Sequence, residues 1–463
     1  MKPTNSPPRA MASPVMRMFC FLGICCVLIV LILTLWPHQK QLVSDPDLDQ
    51  STATVLDATS PGGETSSRHA GRHSPTLPTR PAEEIVSEKL ARFAGHHREL
   101  VTAMAKKFDI IMPEEVNRFF TAVQAGHWEQ TTNLLASLKE LRMSEKWESG
   151  LEQLWPAIQE TYGVAEQAHL WPAQELLDYG NSIINSLKPG MVYVGGTDAG
   201  RFIPTLLADT SEGESPIVVT QSALADGTYL EYLQFRYGDR LNALTAEESQ
   251  SAFSGYLDDA QKRWMHDQQF PDEPRQIRPG EDIKSSDGRL QISGTVAVML
   301  INERLVQNLL DKNPNLSFAL EESTPLKSLY AGATTLGPIT EIRANDPSAA
   351  LTAERAAQSL DYWRSTTQSL NGDTSNAAND AYAKLILGQG NLFLDHNLST
   401  EAAQAYQLAN QLSPANAEGV FIYTNLLLNQ KRYDEARQVV QTALTLTPDN
   451  AQFRSLLDQL SHL

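Results

Sequence analysis

Gly195-Gly196-Thr197-Asp198, with Arg201 one turn further on, brings together backbone and side chains suited to holding a ligand. Adjacent glycines let main chain approach a bound group closely, and the amides that open a following helix favour an anion. Thr197 or Asp198 is the residue type that caps such a helix. Arg201 can pair with Asp198 or hold a phosphate or carboxylate. In an open α/β sheet this turn would lie beyond the carboxyl ends of the strands, where ligands bind. Thr220, Gln221 and Ser222, and later Glu321, Glu322 and Ser323, end two further strand-like runs and would border the same crevice. Glu321 and Glu322 alternate faces on a strand, so at most one points inward, and solvent exposure is the expectation for the pair. For Asp198 and Arg201 the plainer alternative is a helix cap with a local ion pair.

No complete catalytic set accompanies this turn. GGTDAGRF has the glycine spacing of a P-loop, but Arg201 stands in place of the phosphate-reaching lysine and Phe202 in place of the magnesium-binding hydroxyl. Thr197 replaces the second glycine of the dinucleotide fingerprint, and there is no GxSxG, HExxH or EF-hand loop. Catalytic residues, a cofactor and a metal are therefore not expected. The net charge is −18, and residues 1–40 carry four cations and no acid, leaving −22 on the rest. So acidic a body excludes binding to a nucleic-acid backbone. Cys20, Cys25 and Cys26 are the only cysteines, so the remainder has no disulfide and no thiolate chemistry.

The elements that would position the turn alternate strand and helix over 189–345: MVYVGG, RFIPTLLAD, PIVVTQ, GTYLEYLQFRY, a polar stretch with a helix near FSGYLDDAQKRWMHD, GTVAVMLINERLVQNLLDK, NLSFALEE, STPLKSLYAG and GPITEIR. This order predicts an α/β domain with a mainly parallel sheet. Before it, 84–188 has the three-and-four apolar spacing of an α-helical domain. A helix begins at Pro113, two helices break at Ala125-Gly126, and Trp155-Pro156 and Trp171-Pro172 suggest turns. His96 and His97 occupy adjacent faces of a helix and are expected to be ordinary surface or boundary residues.

Residues 18–36 (MFCFLGICCVLIVLILTLW) are uncharged and would span about 28 Å as a helix. Arg9 and Arg17 before them and acids after them place 1–17 in the cytoplasm and the body outside. No small-x-small cleavage site follows, so a retained single transmembrane helix is expected in place of a signal peptide. Residues 37–83 are rich in Ser, Thr, Pro, Asp and Gly and read as a disordered tether, with His69 and His73 as solvated linker residues.

Residues 346–463 carry an internal repeat. Pro414 and Pro448 are 34 residues apart, and at that offset Ala402 matches Ala436, Ala409 matches Ala443 and Asn416 matches Asn450. Gly390 fills the small position of the first copy. The pattern resembles the tetratricopeptide repeat (TPR), whose small residues let paired helices cross closely. Helices are expected near 378–394, 399–412, 415–429, 433–446 and 450–461. Two repeats are fewer than a solenoid needs alone, so the helix near 351–369 or the α/β unit should cover the open end. Residues 189–345 are similar to the soluble C-terminal region of bacterial protein-O-mannosyltransferase-like membrane glycosyltransferases. The combination of anchor and repeats resembles a group of membrane proteins from Verrucomicrobia-like bacteria. The first resemblance implies a site-like turn at Asp198; a single span departs from that family's multi-span catalytic portion.

Together these features describe a bacterial inner-membrane protein with a periplasmic body that binds or assembles envelope proteins through its repeats. Gly195, Gly196, Thr197, Asp198, Arg201, Gln221 and Glu321 would form a small polar crevice. The rival reading is an enzyme or accessory subunit of envelope glycan transfer using Asp198 and Arg201. Self-association is a third.

Overall fold

The computed structural model describes residues 80–144, 150–286, 289–322, 324–342, 351–370 and 374–463. The expected span at 18–36, the tail before it, and His69 and His73 lie outside these; among the described residues no helix is long and apolar enough to cross a membrane. The described residues are mostly helical, with a five-stranded sheet and a separate two-stranded one.

The chain first forms α1 (Ala82–Lys107), α2 (Glu114–Gln124), α3 (Trp128–Met143), α4 (Leu151–Leu170) and α5 (Ala173–Ile184). In α1 the buried stripe Leu90, Phe93, His97, Val101 and Met104 follows helical spacing, with Glu83 and Glu84 in the first turn and Lys106 and Lys107 in the last, as the helix dipole favours. Gly126 at φ 69° ends α2 and redirects the chain into α3, where a break was expected. Trp171-Pro172 separates α4 from α5, but Trp155-Pro156 makes no turn. Pro156 lies inside α4, close to its start. There it forfeits a single backbone bond, and Trp155 is buried in the core.

Next come β1 (Val192–Gly195), α6 (Asp198–Asp209), β2 (Ile217–Thr220), α7 (Gly227–Tyr237), α8 (Ala246–Gln269), β3 (Asp282–Ser286), β4 (Arg289–Ser293), α9 (Thr295–Lys312), β5 (Phe318–Leu320), β6 (Ala333–Leu336) and β7 (Ile339–Ile342). The main sheet has the order β2-β1-β5-β7-β6. β1 pairs in parallel with β2 (Val192 opposite Ile217) and with β5 (Val192 opposite Phe318). β7 runs antiparallel to β5 and to β6. The sheet is thus mixed, a correction to the mainly parallel expectation. The cause is local: Gly337 at φ 55° opens a two-residue turn, which can only return the chain antiparallel. A second hairpin, β3–β4, stands in the stretch read as loop-rich, its Ile283 and Ile292 packing on Tyr256, Ala260 and Ala297 of α8 and α9.

The C-terminal part is α10 (Ala353–Ser369), α11 (Asn376–Asp395), α12 (Ser399–Leu412), α13 (Ala417–Asn429), α14 (Tyr433–Leu446) and α15 (Ala451–Ser461), close to the expected bounds. Ala402, Ala409, Ala436 and Ala443 are buried between helices. A Cβ at Gly390 would overlap the Tyr406 ring, so the α11–α12 crossing needs glycine there. The side chains of Asn416 and Asn450 accept the first amides of α13 and α15, which explains their recurrence at the repeat offset. Pro414 and Pro448 lie just beyond α12 and α14, where a helix must stop.

Both α10 and the sheet cover the open end of the repeats. They meet at Gln389, buried in α11. Its Oε1 accepts from Ser359 Oγ and from Trp363 Nε1 (2.8 Å) of α10, and its Nε2 donates to the carbonyls of Gly337 (2.9 Å) and Ile339 (3.1 Å). One apolar core runs without interruption from Val86 through the sheet to Leu460.

Candidate functional site

The glycine turn lies where the strand pattern put it, between β1 and α6, but its amides are already engaged. Glu321, at the end of β5, directs its carboxylate into the turn. Oε2 accepts from the amides of Gly196 (3.0 Å) and Thr197 (2.9 Å), and Oε1 accepts from Thr197 Oγ1 (2.6 Å). Thr197 Oγ1 in turn accepts from the Gly200 amide, capping α6. Tyr193 Oη donates to the Gly200 carbonyl at 2.7 Å. Two glycines are required by close approach. A Cβ on Gly195 would lie 2.6 Å from the Gly200 oxygen, and one on Gly200 would overlap the Glu321 carboxylate. The donors that an external anion would use thus hold an internal one. Burial pushes the Glu321 carboxyl upward, against the pull of the bonds from Thr197 and Gly196. Gly200→Ala is expected to cost about 1–3 kcal/mol in urea denaturation by forcing this carboxylate off its donors.

Asp198 and Arg201 form a pair at 2.5 Å one helical turn apart, with 55% and 21% of their side chains exposed. Arg201 also reaches Ser222 Oγ at 3.5 Å and lies over the Phe202 ring. The local ion pair of the plainer alternative is present, but the cap is Thr197, and Asp198 stands in the first turn of α6. Gln221 opens the short 3-10 turn after β2 and is fully buried. The structure therefore joins Gly196, Thr197 and Glu321 in one hydrogen-bonded unit and Asp198, Arg201 and Ser222 in another.

Glu321 and Glu322 are both buried, which corrects the expectation of exposure. They do diverge as alternation requires. Glu322 turns toward the repeats, where Tyr330 Oη donates to its Oε2 at 2.9 Å and Gly388 of α11 lies close by. Burial raises its pKa to about 8, so at neutral pH the folded protein holds a proton there that the unfolded chain releases. This group's contribution to stability is present in full below the ordinary carboxylate range. It falls as pH rises from there to about 8. Glu322→Gln should flatten that slope in urea midpoints measured across the window.

A second polar cluster is absent from the sequence reading. His97 of α1 is 1% exposed, a correction to its expected surface or boundary position. Its Nδ1 lies 3.2 Å from Thr161 Oγ1, whose own proton goes to the Ala157 carbonyl. Its Nε2 lies 3.8 Å from Glu160 Oε2 and 4.0 Å from Asp209 Oδ2. Burial, reinforced by Arg236, pushes His97 down to about 3 and keeps it neutral. Arg236 of α7 spans two acids, Glu160 of α4 at 2.8 Å and Asp209 of α6 at 2.7 Å, and Tyr232 Oη donates to Glu160. The cluster braces α1, α4, α6 and α7 against one another. Its signal in the sequence was that His97 falls on the apolar stripe of α1, four residues after Phe93.

The remaining site belongs to the repeats. Between α12 and α13 lies a groove of about 200 Å³ bordered by Thr400, Gln404, Gln407, Tyr423, Gln430 and Arg432. Amide and hydroxyl side chains line it beside Ala403 and Arg432, and such groups can pair with another protein's main chain. Among the described residues no group of three or more His, Cys, Asp or Glu side chains is placed to hold a metal ion.

Residues 395–460 match the tetratricopeptide repeat family, covering α12 to α15. Such repeats are protein-interaction and scaffold units. No curated protein and no solved structure matches the chain.

Proposed function

We propose that this protein is a membrane-tethered scaffold that engages a protein partner through its C-terminal repeats. The match of residues 395–460 to the tetratricopeptide repeat carries this reading, and the polar groove between α12 and α13 is the surface it assigns to the partner. The uncharged run at 18–36, with cations before it and acids after it, supports a single-span anchor in a bacterial inner membrane and a periplasmic body. The α/β unit then serves as the platform that closes the repeats through Gln389. Glu321 on the turn amides and the Asp198–Arg201 pair support that structural role over a glycan-transfer centre.

The test is capture from solubilised membranes with the full chain as bait. Thr400→Arg with Gln407→Arg fills the groove from two exposed positions and leaves the core untouched. Loss of a partner retained by the unaltered chain supports the reading; an identical set of captured proteins overturns it. A carboxyl-terminal reporter active only in the cytoplasm overturns the topology.

A further inference from the structure

Three of the helical hairpins share one local design, although the first lies far from the other two in the chain. In α2–α3, α11–α12 and α13–α14 the helices are separated by three residues. The middle one is always left-handed: Gly126 at φ 69°, Asn397 at 61° and Lys431 at 60°. The residue after it donates its amide to the carbonyl five places back: His127 to Ala122 (3.0 Å), Leu398 to Phe393 (2.9 Å) and Arg432 to Leu427 (2.8 Å). Such a turn alone is common at helix ends. The second helices add a stricter correspondence, because they bury the same positions. Thr131, Leu134, Leu135 and Leu138 of α3 stand where Ala402, Ala405, Tyr406 and Ala409 stand in α12, and Ala436, Val439, Val440 and Ala443 in α14. In the first helices Val116, Phe119 and Ala122 take the places of Leu387, Gly390 and Phe393. Larger side chains replace Ala402, Ala409 and Gly390, and with them goes the small-residue signature.

Among the described residues this hairpin lacks the covering helix that α11–α12 has. On α11–α12 the outer groove is filled by α10, which bonds to Gln389 through Ser359 and Trp363 and to Gln404 through Arg364 (2.6 Å). Arg118 and Asn133 take the places of Gln389 and Gln404 on α2–α3. There the groove is open, with a volume of about 410 Å³, and Glu115, Arg118, Glu129, Asn133 and Leu134 border it. Among the described residues no ion pair engages Glu115, Arg118 or Glu129. We infer that α2–α3 is a third, divergent tetratricopeptide-type hairpin whose outer groove seats a basic amphipathic helix of a partner protein, as α10 is seated on α11–α12. The shape follows from that internal precedent. The charge follows from two carboxylates facing one guanidinium, with Leu134 as an apolar floor. This surface is distinct from the α12–α13 groove, and the inference stands independently of the function proposed for it.

The probe is a fluorescein-labelled peptide of about 18 residues that forms an amphipathic Leu/Lys/Ala helix, titrated into the full chain in detergent and followed by anisotropy. Saturable binding is expected, weakened about tenfold or more by Glu115→Lys with Glu129→Lys, and likewise by Asn133→Trp, which fills the groove from an exposed position. A peptide of the same composition broken by a central proline should bind about tenfold more weakly. Thr400→Arg with Gln407→Arg should leave the affinity unchanged, which separates failure here from failure of the repeat groove. No saturable binding, equal binding of the proline-broken peptide, or indifference to the groove variants overturns the inference.

Discussion

Gln389→Ala is expected to cost the fold about 3–5 kcal/mol, the sum of lost buried hydrogen bonds and the cavity left behind. The side chain serves four partners from two directions: Ser359 and Trp363 of α10 on its oxygen, and the carbonyls of Gly337 and Ile339 on its nitrogen. Truncation strands Ser359, Trp363 and the Ile339 carbonyl in the interior, while the Gly337 carbonyl lies at an exposed turn. Gln389→Glu separates the contributions, since it keeps an acceptor for α10 but offers the two carbonyls no donor and sets a carboxylate against them. It should be destabilising by an amount near that of alanine. Urea denaturation followed by circular dichroism checks both. If either variant lies within about 0.5 kcal/mol of the unaltered chain, Gln389 is not the joint between sheet and repeats.

Arg236→Ala should be comparably damaging, about 3–5 kcal/mol, because it leaves Glu160 and Asp209 facing each other without their shared cation. Its effect should also depend on pH, in a direction that the surroundings dictate. Burial already raises the Glu160 carboxyl, and Arg236 is what pulls it back. Without the guanidinium the folded state keeps a proton on Glu160 to higher pH than the unfolded chain does. The variant's stability therefore falls as pH rises above the ordinary carboxylate range, and its deficit is larger at about pH 8 than at about pH 5. His97 acts in the same direction. It stays neutral down to about 3 while the unfolded chain's imidazole takes up a proton as pH falls through its ordinary range, and removal of the Arg236 charge eases that penalty at the acid end. Urea midpoints at the two pH values supply the check, and a deficit that shrinks toward alkaline pH would contradict the account. Asp198→Ala is the contrast: its carboxylate is more than half exposed, and a change within about 0.5 kcal/mol is expected.

The parts legible in the sequence were those set by short-range pattern. Val192–Gly195 and Ile217–Thr220 are buried on both faces and therefore read as continuous β-branched runs. The C-terminal helices were legible because alanine, asparagine and proline recur at a fixed offset, each for a steric or capping reason that the structure displays. What stayed hidden depends on partners far away in the chain. Gly196 and Thr197 looked like an open anion site because the residue that fills it, Glu321, is 125 positions from Gly196. Likewise, the apolar stripe of α1 turns His97 inward, but nothing local marks Thr161, 64 residues on, as its partner. The β3–β4 hairpin has only Ile283, Leu290 and Ile292 as apolar residues, so its strand pattern is too thin to read. In α2–α3 the larger buried side chains erase the small-residue signature that betrays the C-terminal pair, although the backbone turn is the same.

Glu321 on the turn between β1 and α6 has a consequence for the order in which a ribosome can deliver this fold. When α6 emerges, the amides of Gly196 and Thr197 have no carboxylate to bind, and they stay hydrated until β5 has been synthesised. From that moment the crossover carries its own counter-charge, and its integrity becomes indifferent to how much phosphate or sulfate the surrounding medium contains.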